Sequence, residues 1–321
     1  MALPASLAAR LSLPLIAAPM FRVSGPDLVI AACRSGIIGA FPTANVRSVD
    51  ELDQWLVRIE QALAAADRPV APYCANLIIR QARLQEDLAC LVRHKVELVI
   101  TSVGSPEVAV GPLHDIGALV FADIASVRHA EKALAAGADG LILLTAGAGG
   151  QTGWANGFAF VRAVRALFDG PIVLAGGVSD GHALWAAETL GADLAYMGTK
   201  FIATHESMAA DGAKRMLVDC RLDDVFLTKA FTGLETNILR PSIVASGLDP
   251  ANLPTDIAAE KANELYGGGS ANTGPKRWTD IWSAGHSVSG VEAIMSVDDL
   301  VAATRAEYDA ARRATARRLQ A

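Results

Sequence analysis

Two glycine-bearing segments stand where main chain could grip an anion. One reads Ala175-Gly176-Gly177-Val178-Ser179-Asp180-Gly181 and the other Met197-Gly198-Thr199-Lys200-Phe201. Each follows a short apolar run, so each reads as a strand passing into a helix. Glycine lets backbone approach a ligand closely, and a helix start offers N–H groups that no intrahelical carbonyl takes. Two such loops in this order suit a phosphate better than either alone. A third segment, Gly147-Ala148-Gly149-Gly150-Gln151-Thr152-Gly153, is equally rich in glycine. The Gln151 amide can donate and accept hydrogen bonds but cannot take a proton near neutral pH. His94, His114, His129, His182 and His205 lack metal-ligand spacing, and Ser102 and Ser179 sit in no Gly-x-Ser-x-Gly elbow. No Gly-x-Gly-x-x-Gly follows a strand, so a dedicated nicotinamide site is not expected.

The elements that must position these loops alternate along the chain. Short β-branched runs near Pro14–Ala18, Ile37–Phe41, Val70–Asn76, Leu98–Thr101, Ala118–Ala122, Gly140–Leu144, Ile172–Ala175 and Leu194–Met197 are separated by Ala-rich helical stretches. This pattern predicts an α/β fold, a closed (β/α)8 TIM barrel. Gly-Ala-Asp recurs at 137–139 and 191–193, before the sixth and eighth runs, where glycine ends a helix and starts a tight turn. Chemistry is then expected at the opposite face, at the strand C-terminal ends. Residues 1–201 read as the barrel, 202–286 as a helical insertion or lid after the eighth strand, and 287–321 as a C-terminal helix packing back. Within the insertion, Glu206–Val218 reads as helical, Val225–Pro241 as irregular, and Tyr266–Gly274 as flexible, its Gly267-Gly268-Gly269 run allowing movement. Trp278 and Trp282 read as a packing pair on one helix, and Val297–Gln320 as strongly helical.

Of the 321 residues, 52% are hydrophobic and 19% charged, enough to fill a large core. Glycine, proline or a charge breaks every apolar run short of a membrane span, and the first ten residues lack the layout of a secretory signal. A cytoplasmic protein without a membrane segment is expected. Formal net charge is −6 and the cations gather only in Arg305–Arg318, among acids and alanines, which argues against a nucleic-acid partner. Cys33, Cys74, Cys90 and Cys220 are widely spaced and read as buried, reduced thiols.

The order of these motifs resembles the nitronate monooxygenase family, formerly called 2-nitropropane dioxygenases, and the related FMN-dependent enoyl-ACP reductases. The markers are Ala18-Pro19-Met20, Asn76-Leu77, Ala146 to Gly153, Ala175-Gly176-Gly177, Met197-Gly198-Thr199-Lys200-Phe201 and Trp282-Ser283-Ala284-Gly285. The resemblance covers nearly the whole chain. It implies a non-covalent FMN across the barrel mouth. Ala18, Pro19 and Met20 would meet the isoalloxazine through the backbone, Asn76 would hydrogen-bond it, and Gly150 would lie beside it. Gly176, Gly177, Gly198 and Thr199 would hold the phosphate.

One position departs from the family pattern, which carries Glu-Ala-Gly-Gly-His-x-Gly after the sixth strand. Gln151 stands at the histidine position, and His286 follows Trp282-Ser283-Ala284-Gly285 where the family commonly has glutamine. The resemblance therefore implies Gln151 and His286 as the catalytic candidates. Three activities stay open: oxidation of a preformed alkyl nitronate with O2, NAD(P)H-dependent reduction of an enone, enoyl thioester or quinone, and flavin binding with little catalysis. A phosphorylated-metabolite isomerase or aldolase on the same barrel stays open as well. The physiological small-molecule substrate, docking of NAD(P)H and self-association into a homo-oligomer are not readable from the sequence.

Overall fold

The computed structural model describes residues 3–268 and 274–320. Eight parallel strands close into a barrel: Leu15–Ala17, Ile38–Pro42, Tyr73–Ile78, Leu98–Ser102, Leu119–Ile124, Gly140–Leu144, Ile172–Ala175 and Leu194–Met197. All eight expected runs are strands. The third begins at Tyr73 rather than Val70, because Pro72 has no N–H to give the ladder.

Register fixes what fills the interior. Neighbouring strands are staggered, so inward side chains form rings of four from alternate strands. The lowest ring is Ile38, Leu98, Gly140 and Leu194, the next Ile16, Cys74, Phe121 and Val173, and the third Ala40, Ile100, Ile142 and Tyr196. These residues form one buried cluster except Gly140, whose missing side chain leaves room for the Phe121 ring. Leu3 and Leu7, flanking and within the short helix Ala5–Ala8, join that cluster and close the lower end. Above the third ring, at the C-terminal mouth, the next inward positions are Ala18, Asn76, Asp123 and Ala175.

The two Gly-Ala-Asp junctions do the same job at the lower face. Asp139 Oδ2 accepts the Val120 N–H at 2.8 Å, and Asp193 Oδ2 accepts the Ile172 N–H at 3.0 Å. Each aspartate thus satisfies the start of the strand before its own, and Asp193 also holds Arg165.

Beyond the eighth strand the chain leaves the barrel. Helices cover Asp211–Asp219 and Ala259–Tyr266. The stretch expected to be irregular is instead an antiparallel hairpin, Val225–Thr228 with Thr236–Leu239, whose second strand pairs with Gly150–Gln151. Trp278 and Trp282 share no helix: Trp278 sits in a turn with φ 66°, and the two rings pack into different apolar clusters. The expected flexible stretch falls largely on 269–273, outside the described residues. The final helix, Val297–Gln320, packs along Gly181–Leu190. Trp185 Nε1 donates to Thr315 Oγ1 at 2.9 Å across that contact, and the Tyr308 hydroxyl donates to Glu188.

Candidate active site

The loops after the sixth, seventh and eighth strands meet at the mouth. Thr145 Oγ1 donates to Ala175 O at 2.8 Å, joining the ends of the sixth and seventh strands. Asn237, buried in the hairpin, donates to Ala146 O at 2.9 Å and Ala148 O at 2.7 Å. His286 N donates to Gly147 O at 3.0 Å, and Gly285 N donates to Thr199 Oγ1 at 2.9 Å. The glycine loop is therefore gripped by the hairpin on one side and the Trp282–His286 segment on the other. Gly149 permits this: a Cβ there would meet Gly285 N at 2.7 Å. Sequence reasoning missed Asn237, since a lone asparagine in a polar stretch carries no signal until its partners are known.

Gly176 and Gly177 have φ of 116° and 80°, the left-handed region that disfavours any side chain. A Cβ on Gly176 would strike Thr145 Oγ1 at 2.3 Å, whereas one on Gly177 would meet nothing within 4 Å. Gly176 is thus a packing glycine, and Gly177 faces open space. Among the described residues, the N–H groups of Gly177, Gly198 and Thr199 find no protein acceptor. Thr199 accepts from Gly285 yet keeps its own hydroxyl hydrogen to donate. Unpaired donors, with open space beside Gly177, fit a phosphate.

One part of the expected anion site needs correction. The helix Gly181–Leu190 does not offer a free N-terminus. Asp180 Oδ1 accepts from Ala183 N at 2.7 Å, and Glu307 Oε2 from Gly181 N at 2.9 Å. Two carboxylates occupy the place an anion would take, so the available donors are those of the Gly177 turn and of Gly198-Thr199.

Across the mouth, the turn after the first strand is rigid. Met20 N donates to Ser24 Oγ at 2.9 Å, Ser24 Oγ donates to Ala18 O at 3.1 Å, and Asn45 Nδ2 donates to Met20 O at 3.0 Å. Ala18 N is spent on Met197 O. What this turn can present to a ligand is the Pro19 carbonyl and the Met20 side chain, rather than an N–H of Met20. Asn76 accepts from Ser102 Oγ at 3.3 Å, which leaves its NH2 group open toward the mouth. Beyond the fourth strand, Val103 holds φ 55°, a cost of about 1–2 kcal/mol for a β-branched residue, and such strain concentrates at functional rims.

Gln151 and His286 are both exposed on the rim. Pairing with Thr236 fixes the Gln151 backbone, and a Cβ on Gly147 would meet the His286 Cβ at 3.5 Å and Gly177 N at 3.2 Å. His286 therefore stands beside the Gly176-Gly177 turn, at the anion end of the site.

Asp123 was not singled out in the sequence. It shares the mouth ring with Ala18, Asn76 and Ala175, and its Oδ1 is buried without a hydrogen-bond partner. Burial alone pushes its carboxyl up to about 7. In the ring below, the Tyr196 hydroxyl is likewise buried without a partner, and desolvation followed by the nearby Asp123 charge holds it well above the usual phenol range. An available signal was the charge at an inward position of Leu119–Ile124, where apolar residues are the rule.

Residues 75–306 match the sequence model of the family described as nitronate monooxygenase. The chain belongs to the nitronate monooxygenase family. A Mycobacterium tuberculosis protein named (3aS,4S,5R,7aS)-5-hydroxy-7a-methyl-1-oxo-octahydro-1H-indene-4-carboxyl-CoA dehydrogenase is 28% identical, the match covering 72% of this chain and 64% of that protein. The match thus spans less than two thirds of that dehydrogenase. A protein of Paraburkholderia phytofirmans named nitronate monooxygenase is 26% identical, with 74% of this chain and 76% of that one covered. Among solved structures, nitroalkane oxidase from Streptomyces ansochromogenes superposes with a TM-score of 0.80 at 25% identity, covering 97% of this chain and 100% of that one. FabK from Thermotoga maritima also gives 0.80, at 24% identity over 97% of this chain and 96% of that one, a likeness of fold.

Proposed function

We propose that this chain holds FMN at the barrel mouth and oxidises alkyl nitronates with O2. The observation that carries the reading is the set of unpaired N–H donors on Gly177, Gly198 and Thr199, with open space at Gly177, in a chain of this family. Bound FMN would supply the two-electron acceptor and the reaction with oxygen. Gly176 shapes the phosphate turn, with Gly177, Gly198 and Thr199 as its donors. Asn76 offers its amide to the ring, Ala18-Pro19-Met20 forms one wall, and Gly150 the other. A nitronate arrives already deprotonated, so Gln151 needs only to orient it by hydrogen bonding, which an amide does well. His286, beside the phosphate end, offers a ring N–H to the anion there rather than acting as the base. Residues 202–286 act as the cover of the site, residues 1–201 as the FMN-binding barrel and 287–321 as its outer brace.

A second reading, flavin-dependent oxidation or reduction of an acyl thioester or enone with NAD(P)H as partner, is favoured by the relative named as an indene-4-carboxyl-CoA dehydrogenase. Anaerobic stopped-flow absorbance of the holoprotein separates the two. Rapid flavin bleaching on mixing with a preformed alkyl nitronate, and none with NADH or NADPH, supports the first. Reduction by pyridine nucleotide alone overturns it.

A further inference from the structure

The mouth ring contains one ionisable side chain, and nothing so far gives it a task. Asp123 projects inward from the fifth strand between Ser102 of the fourth and Ile142 of the sixth, level with Ala18, Asn76 and Ala175. Its Oδ1 is enclosed and unpaired, while the residue as a whole keeps some accessible surface. One carboxyl oxygen is thus walled in and the other communicates with the mouth. No cation faces it. The titratable groups of the rings beneath are Cys74 and Tyr196, both pushed upward by burial and so neutral near pH 7. The ring's other side chains, two alanines and an amide, carry no charge.

We propose that Asp123 is the proton-holding residue of this site, taking up a proton from solvent when negative charge arrives at the mouth and releasing it when that charge leaves. The inference rests on the flavin reading above. The physics is that of a carboxyl without a counter-ion. In a poorly hydrated place its charged form is disfavoured already, and a second negative charge nearby disfavours it further. Substrate electrons placed on FMN bound at this mouth would bring such a charge, and their transfer to O2 would remove it. Proton uptake at Asp123 offsets the first event and proton release accompanies the second. Gln151 cannot exchange a proton, so the floor supplies what the rim lacks.

The test has two arms. The first follows the carboxyl stretching band of the flavin-free protein against pH, with Asp123→Asn as the blank. A protonated carboxyl lost in Asp123→Asn, titrating near neutrality, is expected. A carboxyl already ionised at pH 5 overturns the proposal. The second measures the midpoint potential of bound FMN against pH. Wild type should show an inflection near neutrality, retained in Asp123→Glu and absent in Asp123→Asn. Asp123→Asn should lie at a less negative potential than wild type at pH 8 and coincide with it at pH 5. Bound flavin with parallel curves in all three proteins overturns the coupling alone, whereas a protein that takes up no FMN overturns the functional reading and the coupling together.

Discussion

Asn237 donates both amide hydrogens to carbonyls of the glycine loop, at 2.9 and 2.7 Å. Asn237→Ala leaves those acceptors unpaired, Ala148 among buried residues, and should cost about 2–3 kcal/mol in chemical denaturation while loosening the loop that carries Gln151. At Gly177 the expected balance differs. Its φ of 80° makes Gly177→Ala cost about 1 kcal/mol of stability, yet the methyl group would enter the open space left for a ligand. FMN affinity measured by fluorescence quenching should fall at least about tenfold, a larger effect than the folding loss. Asp123 makes a pH prediction. Its carboxyl lies near 7 when folded, against 3.8 for an ordinary aspartate. Between those values the flavin-free folded chain binds a proton that the unfolded chain does not, so this residue costs stability as pH rises and the loss is complete above pH 7. At about 1.4 kcal/mol per unit, Asp123→Asn should exceed wild type by about 4 kcal/mol at pH 8 and match it near pH 4. Urea unfolding at the two pH values decides; an equal gain at both would assign the effect to packing.

At the scale of elements, the repeated Gly-Ala-Asp shows how much a short motif can carry. The glycine ends a helix, and the aspartate closes an N–H at the start of the preceding strand. Asp193 also binds Arg165, itself tied to Gly191 O at 3.0 and 2.7 Å. Asp193→Ala should therefore cost about 3 kcal/mol, leaving a largely buried guanidinium without its counter-ion, while Asp193→Asn should recover part of it. Thermal unfolding of both variants checks this. The strands were legible because each is a short apolar run bounded by turn residues. The hairpin at 225–239 was not. Its first strand is only half-buried and its second is buried throughout, so neither shows the alternation that marks a strand, and it is held partly by pairing with Gly150–Gln151 far back in the chain. Helix Gly181–Leu190 taught the reverse lesson: its start looks like an anion site until Glu307, from the last helix, is seen to occupy it.

Across the whole molecule, all four cysteines are buried, none more than 6% exposed, and desolvation raises their thiols, Cys33 to about 12 and Cys220 to about 11. A thiol reagent at pH 8 should find none of the four in the native protein and all of them in denaturant. Fast reaction of even one in the native state would reveal opening of the barrel or of the Cys220 cluster. The sequence by itself determined the barrel, its order of strands, the family and the two glycine turns, because those depend on local periodicity and on residue types that backbone geometry demands. Tertiary structure alone decided which N–H groups remain free to bind an anion, that Asn237 holds the glycine loop, and that Asp123 lies level with Asn76. The physical reason is register: a one-residue stagger between strands sets which side chains share a ring, and no single strand encodes its neighbour's offset.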